Sequence, residues 1–512
     1  MYELLLMNKY INLRDVKNNH ALMALITIVI GVLSMDFAAN WKIIEGQGDQ
    51  FIYLDLAKNL KLMISDGRLS DYYAKRILPS LVVSSSLDLL GFQISDRSII
   101  RGFYIYNMIL IIGSGIIWKK IADSFSFSIA GRWFGFAGLF MSYQATTQTW
   151  LIPVMTDVTA LFVGMLLLFF YIKKNALGIC AVAIVGSFAW QIVGISGVIL
   201  LIFMRQTVLL KFMEPVANTV DINKKFLRWM FVIYIYIVVM SLLGLLLMNF
   251  MEFELRKYIP HFLGFRCLIT GLPSLTAVAV GLIILMDSFS NIRDMILSIV
   301  KVEIKLITLA FIVIAIPQLI IFQISNSNLP YVSGISSIVK IIVTPPDGKI
   351  FLPLVTLLVF WGPMVVFIVL NWYKFGVEAR KLGVGFIGII TLGLPLCLTT
   401  EPRFVTSVWP FFVLGSVIVF EKSVFNPLFF RGYMIWSILL AQFWLLINPF
   451  NLGDFINKNF LAIRQEFFRD HYGLWMSWDG YWLNLLFTLS CLFWMKKQLS
   501  KTSSTNKNLH RE

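Results

Sequence analysis

Apolar runs of bilayer-spanning length recur along this chain from end to end, and no other feature restricts its fold as strongly. A run of about 20 apolar residues crosses the hydrocarbon core as a helix, because a helix satisfies every backbone N–H and C=O within the segment. Membrane barrels instead alternate apolar and polar residues over short strands, a pattern these runs lack. The reading is therefore an all-α integral membrane protein of about 12–14 transmembrane helices. Composition agrees: only 14% of the 512 residues are charged, against about 25% in soluble domains, and the mean hydropathy is +0.80.

Spans are expected at 21–39, 99–118, 129–144, 154–172, 176–190, 192–204, 229–249, 267–286, 306–324, 351–370, 384–399, 405–420, 433–448 and 481–494. The first has no small-x-small cleavage signal and is read as a retained helix. The stretch 77–91 is apolar but broken by Ser84, Ser85, Ser86 and Asp88, and is read as lying in the interface. The run 176–204 carries Gln191 and Gly194 at its middle and is read as a hairpin of two short helices. One polytopic domain then fills 1–495, and 496–512 is a basic, disordered cytoplasmic tail.

The net charge of +15 does not point to nucleic acid. The basic residues cluster in short loops, as at Lys119-Lys120, Lys173-Lys174, Lys224-Lys225 and Lys496-Lys497, which is the pattern that orients helices with their basic loops inside. On that rule both termini are cytoplasmic. The four cysteines fall inside apolar runs without ligand spacing, so neither a disulfide framework nor a zinc site is indicated.

This topology turns attention to the outer face, where 40–98 forms a long first loop too apolar to stand free in water. Residues 51–64 read as an interfacial helix with Phe51, Leu54, Ala57 and Leu62 on one side and Asp55, Lys58, Asn59 and Lys61 on the other. Four polar groups fall on this face. Asp49 with Tyr53 is one; as a lone carboxylate Asp49 could equally be an ordinary solvated loop residue. Tyr72 and Arg76 form the second, with Arg76 suited to a lipid phosphate or to a snorkelling anchor role. Asp157, in Pro153-Val154-Met155-Thr156-Asp157, either works at the membrane boundary or caps a helix with Thr156. Glu401 and Arg403, in Thr399-Thr400-Glu401-Pro402-Arg403-Phe404, suit a phosphate receptor or a structural pair closing a turn. The last outer loop, 449–480, adds Asp454, Asp470, His471, Trp475, Trp478 and Asp479; its aromatics suit sugar stacking or an interfacial belt, and His471 has no visible partner.

The Gly48-Asp49-x-x-x-Tyr53 stretch resembles the first-loop acidic motif of the GT-C polytopic membrane glycosyltransferases, and Glu401-Pro402-Arg403-Phe404 with Trp409-Pro410-Phe411 is similar to a late motif of their bacterial members. The Thr156-Asp157 helix start and the hairpin at 176–204 are similar too. A single Asp49 stands where many relatives have paired acids, Phe404 replaces the usual Tyr, and Gln191 takes a position often basic.

The resemblance implies a GT-C-like fold and transfer of a sugar from a polyprenyl-phosphate donor to a glycan or lipid acceptor. The reaction would occur at the periplasmic or extracellular face of a bacterial inner membrane, with inversion. It implies Asp49 as general base, Arg403, Arg76 and Tyr53 at the donor's lipid phosphate, and Asp157, Glu401, Tyr72 and His471 as positioning groups. A divalent cation, Mg or Mn, held by Asp49 and Asp157 stays open, and membrane lipids are the surrounding partners. Two other classes also fit such a chain: a polymerase or ligase of lipid-linked oligosaccharides, and a flippase or transporter of lipid-linked sugars. The transporter class calls for charges at mid-membrane depth, whereas most span centres here are free of them.

Overall fold

A computed structural model of the chain describes residues 49–204, 303–326, 352–397, 399, 401–423, 427–441 and 478–509. The expected spans 21–39, 229–249 and 267–286 lie outside these residues, as do His471 and most of the last outer loop. Among the described residues the regular structure is helical throughout.

Helix α1 (Asp49–Ser65), the short α2 (Asp71–Ala74) and α3 (Leu78–Leu89) make up the segment expected to form the first outer loop. The next helix, α4 (Asp96–Ser124), opens on a capping box in which the Ser95 and Ser98 side chains each satisfy the other's backbone N–H. After α5 (Ile129–Phe140) the chain makes a π-helical turn at Gln144–Gln148 before α6 (Asp157–Ile172). Helices α7 (Ala176–Gly186) and α8 (Gln191–Ile202) follow, then α9 (Ile304–Ile324). The C-terminal part holds α10 (Leu352–Trp361), α11 (Met364–Leu370), α12 (Trp372–Lys381), α13 (Val384–Cys397), α14 (Trp409–Lys422), α15 (Pro427–Ala441) and α16 (Trp478–Leu509).

Two of these, α4 with 29 residues and α9 with 21, are long and apolar enough to cross a membrane by length and composition. At 1.5 Å per residue they measure about 43 and about 31 Å. A core helix of a soluble protein buries most of its surface, but only 33% and 28% of the apolar windows of α4 and α9 are buried. Ile105, Ile109 and Ile116 of α4 and Phe311, Leu319 and Phe322 of α9 point outward instead.

The predicted hairpin at 176–204 is present: α7 and α8 separate at Ser187–Trp190 and fold back on each other. Gly197 permits this, since a Cβ there would lie 2.2 Å from the Cβ of Ala183. The stretch 77–91 forms a helix of only 12 residues, too short to span, with Leu81, Val82 and Leu89 exposed.

Other expectations need correction. The span at 351–370 is broken into α10 and α11, because Gly362 adopts φ +74° and Pro363 follows it. The expected helix at 129–144 stops at Phe140 and gives way to the π-turn. In α1 the buried face is Tyr53, Leu54, Leu56, Ala57, Leu60 and Met63, while Phe51 and Leu62 are exposed. The kink at Asn59, whose amide donates to the Asp55 carboxylate at 2.7 Å, rotates the second half away from the face an ideal helix would give. The tail beyond 496 is not a coil: α16 continues through to Leu509. Helix α12 was not anticipated.

The charged groups collect at two ends. At one, Asp123 pairs with Arg132, Glu421 accepts from Ser128, and Glu378 pairs with both Lys381 and Lys422. Tyr171, near the end of α6, donates there to the carbonyl of Leu382 at 2.9 Å. The opposite end holds the starts of α6 and α14 and the packed loop of α1–α3. That loop is docked on the helices: Leu78 N–H donates to Phe188 O at the α7–α8 break (2.9 Å), and Asn326, beyond α9, donates to Leu69 O and Gly67 O, both at 2.8 Å.

Candidate functional site

Seven residues singled out in the sequence, Asp49, Tyr53, Tyr72, Arg76, Asp157, Glu401 and Arg403, meet at this second end. Asp49 occupies the first turn of α1, where a carboxylate is favoured by the helix dipole. Tyr53 follows one turn later on the same helix and is fully buried. Arg76 lies between α2 and α3, positioned by the docking of Leu78 on Phe188. Its guanidinium donates to the Tyr53 hydroxyl at 2.9 Å and lies over the rings of Tyr72 and Trp190, 4.2 and 4.9 Å from their centres. A cation held between two aromatic faces and a phenol gains electrostatic stabilisation from the ring quadrupoles. The snorkelling role is not what is seen, because Arg76 is 6% exposed and points inward.

Arg403 reaches the same place from the other side. Pro402 starts a 3-10 turn, Pro402–Val405, whose carbonyl groups are tied down: Trp361 donates its indole N–H to Pro402 O at 3.1 Å, and Thr406 donates to Arg403 O at 2.6 Å. Trp361 in turn stacks on Trp409, with ring centres 4.7 Å apart. The turn-closing pair foreseen in the sequence is present, with Arg403 Nε donating to Glu401 Oε2 at 2.9 Å. It leaves the far end of the guanidinium pointing elsewhere, 3.6 Å from Asp49 Oδ2. Arg76 Nη1 is 3.8 Å from that same oxygen. Two guanidiniums on separate elements thus converge on one point, the arrangement that receives a tetrahedral anion.

Asp49 is the accessible member: its side chain is 24% exposed, against 8% for Arg76 and 14% for Arg403. Tyr72 and Tyr73 direct their hydroxyls at its two oxygens, each at 3.4 Å, so the carboxylate is surrounded by donors at distances longer than good hydrogen bonds. Burial pushes the phenols of Tyr53, Tyr72 and Tyr73 up, and the negative charge of Asp49 adds to the rise. All three therefore remain protonated donors through the neutral range.

Asp157 begins α6 and is 3% exposed. The capping alternative is not realised, since the Thr156 side chain makes no cap hydrogen bond. Neither carboxylate oxygen of Asp157 has a hydrogen-bond partner among the described residues, and the group lies within electrostatic reach of Arg403, Arg76 and Glu401.

The described residues of the site do not fit a divalent cation. Among the described residues no three His, Cys, Asp or Glu side chains gather, and Asp49 faces two guanidiniums that would repel one. Sequence reasoning missed two members of the site. Tyr73 was visible beside Tyr72, but its direction is fixed only by the fold. Trp190 could have been suspected from its place at the helix break just before Gln191. His471 lies outside the described residues, and of the last loop's aromatics Trp478 is half exposed at the start of α16.

No family model matches the chain, and neither a curated protein nor a solved structure shows significant similarity to it.

Proposed function

We propose that the protein is a polytopic membrane glycosyltransferase with a GT-C-like architecture, and that the Asp49 cluster is its active site on the outer face. It would move a sugar from a polyprenyl-phosphate donor to a hydroxyl of a glycan or lipid acceptor. The observation that carries this reading is the convergence of Arg76 and Arg403 on one oxygen of a partly exposed carboxylate. Supporting it, α4 and α9 turn much of their apolar surface outward, and the short α3 with its exposed Leu81, Val82 and Leu89 suits the membrane interface beside the site.

In the proposed reaction the donor phosphate binds the two guanidiniums, drawing them off Asp49. The freed carboxylate takes the proton from the acceptor hydroxyl as its oxygen attacks the anomeric carbon from the side opposite the phosphate. The bond between that carbon and the phosphate oxygen breaks, its electron pair stays on the phosphate, and the configuration inverts. Arg403 and Arg76 stabilise the charge on the leaving phosphate, an effect that grows where water is scarce. Glu401 holds Arg403 in register, and Tyr72 and Tyr73 orient the base.

A transporter reading draws no support from the described residues, whose buried Arg76, Asp157, Glu378 and Glu401 sit at the ends of the bundle. Asp49→Asn tests the proposal: transfer should be lost at unchanged expression, and retained transfer removes Asp49 from the chemistry.

A further inference from the structure

Around Arg76 and Asp157, four buried side chains carry polar atoms with no hydrogen-bond partner among the described residues. They are Asp157, through both carboxylate oxygens, and Thr156 Oγ1, Trp190 Nε1 and Arg76 Nε. Each of these residues is at least nine-tenths buried, at 3%, 1%, 2% and 6% exposure. A native protein leaves few such groups, because each is costly unless a ligand or water completes it. Their polarity is informative. The Asp157 carboxylate can only accept, whereas the indole N–H and Arg76 Nε–H can only donate; Thr156 can do both.

A phosphate dianion would satisfy the donors but carries no hydrogen for the accepting oxygens of Asp157. A hydroxyl group both donates and accepts, so a ring bearing several hydroxyls can satisfy the whole set. We propose that the site has two halves: an anion half at Arg76 and Arg403, and a hydroxyl-reading half formed by Asp157, Thr156 and Trp190 that binds the sugar ring carried by the phosphate. This rests on the glycosyltransferase reading and assigns Trp190 and Thr156 as substrate-contacting groups. Asp49 is the most accessible of the three charged groups, and its loose contacts to both guanidiniums would yield when a phosphate takes their place.

Thr156→Val and Trp190→Phe are suited to the test, because neither removes an intramolecular hydrogen bond seen among the described residues. Binding to purified protein in nanodiscs would be measured for undecaprenyl phosphate and for the same lipid phosphate bearing glucose, galactose or mannose. Wild type should bind at least one glycosylated lipid more tightly than the bare phosphate. Thr156→Val should lose about tenfold of that gain, with binding of the bare phosphate and thermal stability unchanged; Trp190→Phe, whose ring also lies over Arg76, should lose more from the glycosylated lipid than from the bare phosphate.

The inference is overturned if no member of the panel outbinds the bare phosphate. It is equally overturned if the variants leave the gain intact or weaken both kinds of lipid equally. The measurement is independent of turnover. A sugar-dependent gain without transfer would reject the glycosyltransferase reading and keep the hydroxyl half; transfer without the gain would do the reverse.

Discussion

Replacing Asp49 by Asn should have two effects of opposite sign. Transfer should vanish, because the amide cannot take a proton. Binding of a lipid phosphate should tighten, because the resident negative charge that competes for Arg76 and Arg403 is gone. The size follows from the geometry. A phosphate seated between the guanidiniums would come within about 4 Å of the present position of Oδ2, where two unit charges repel by about 4 kcal/mol at an effective dielectric of about 20. Asp49 is partly exposed and can swing aside, which leaves on the order of 1–2 kcal/mol, or about tenfold in Kd. Titration of undecaprenyl phosphate against wild type and Asp49→Asn in nanodiscs at one ionic strength reads this directly. If Asn at 49 weakens phosphate binding, Asp49 organises the arginines instead of competing for them, and the exchange of anions is wrong.

Arg403→Lys keeps the charge but loses the fork that spans Glu401 and the site; lipid-phosphate affinity should fall about tenfold, measured in the same titration. Trp361→Phe removes the hydrogen bond to Pro402 O and should slow transfer several-fold at unchanged topology, checked by single-turnover assay. Gly164→Ala would put a Cβ 2.1 Å from the backbone oxygen of Ser407, so the α6 contact must open; a loss of about 1–3 kcal/mol should appear as a lower Tm. Glu378→Gln, at the opposite end, should lower Tm through loss of its pairs with Lys381 and Lys422 yet leave transfer per folded molecule unchanged. A membrane-impermeant maleimide should label Lys61→Cys from outside and Lys120→Cys only after permeabilisation.

Much of this arrangement was legible in the sequence, for identifiable reasons. Charged residues in an apolar chain are few, so Asp49, Arg76, Asp157, Glu401 and Arg403 stood out, and assigning loops to faces was enough to bring them to one end. The α7–α8 break was legible because Gln191 and Gly194 interrupt an apolar run. The break between α10 and α11 was not, since a Gly-Pro pair inside a run of span length leaves the hydropathy almost unchanged. The buried face of α1 was misplaced because the kink at Asn59 depends on a local side-chain hydrogen bond that periodicity does not register. Trp190 and Tyr73 were hidden for another reason: aromatic residues are common here, and only the fold shows which ones lie against Arg76 or Asp49.

The central claim is that the Asp49 cluster breaks a sugar–phosphate bond. Purified protein in proteoliposomes, given radiolabelled undecaprenyl-phosphate-linked sugars and a mixed acceptor fraction, would be assayed for label on the acceptor and release of undecaprenyl phosphate. Wild type should yield both in equal amounts, and Asp49→Asn neither. Undiminished yield from Asp49→Asn, or movement of the intact labelled lipid across the bilayer without release of phosphate, would contradict the account.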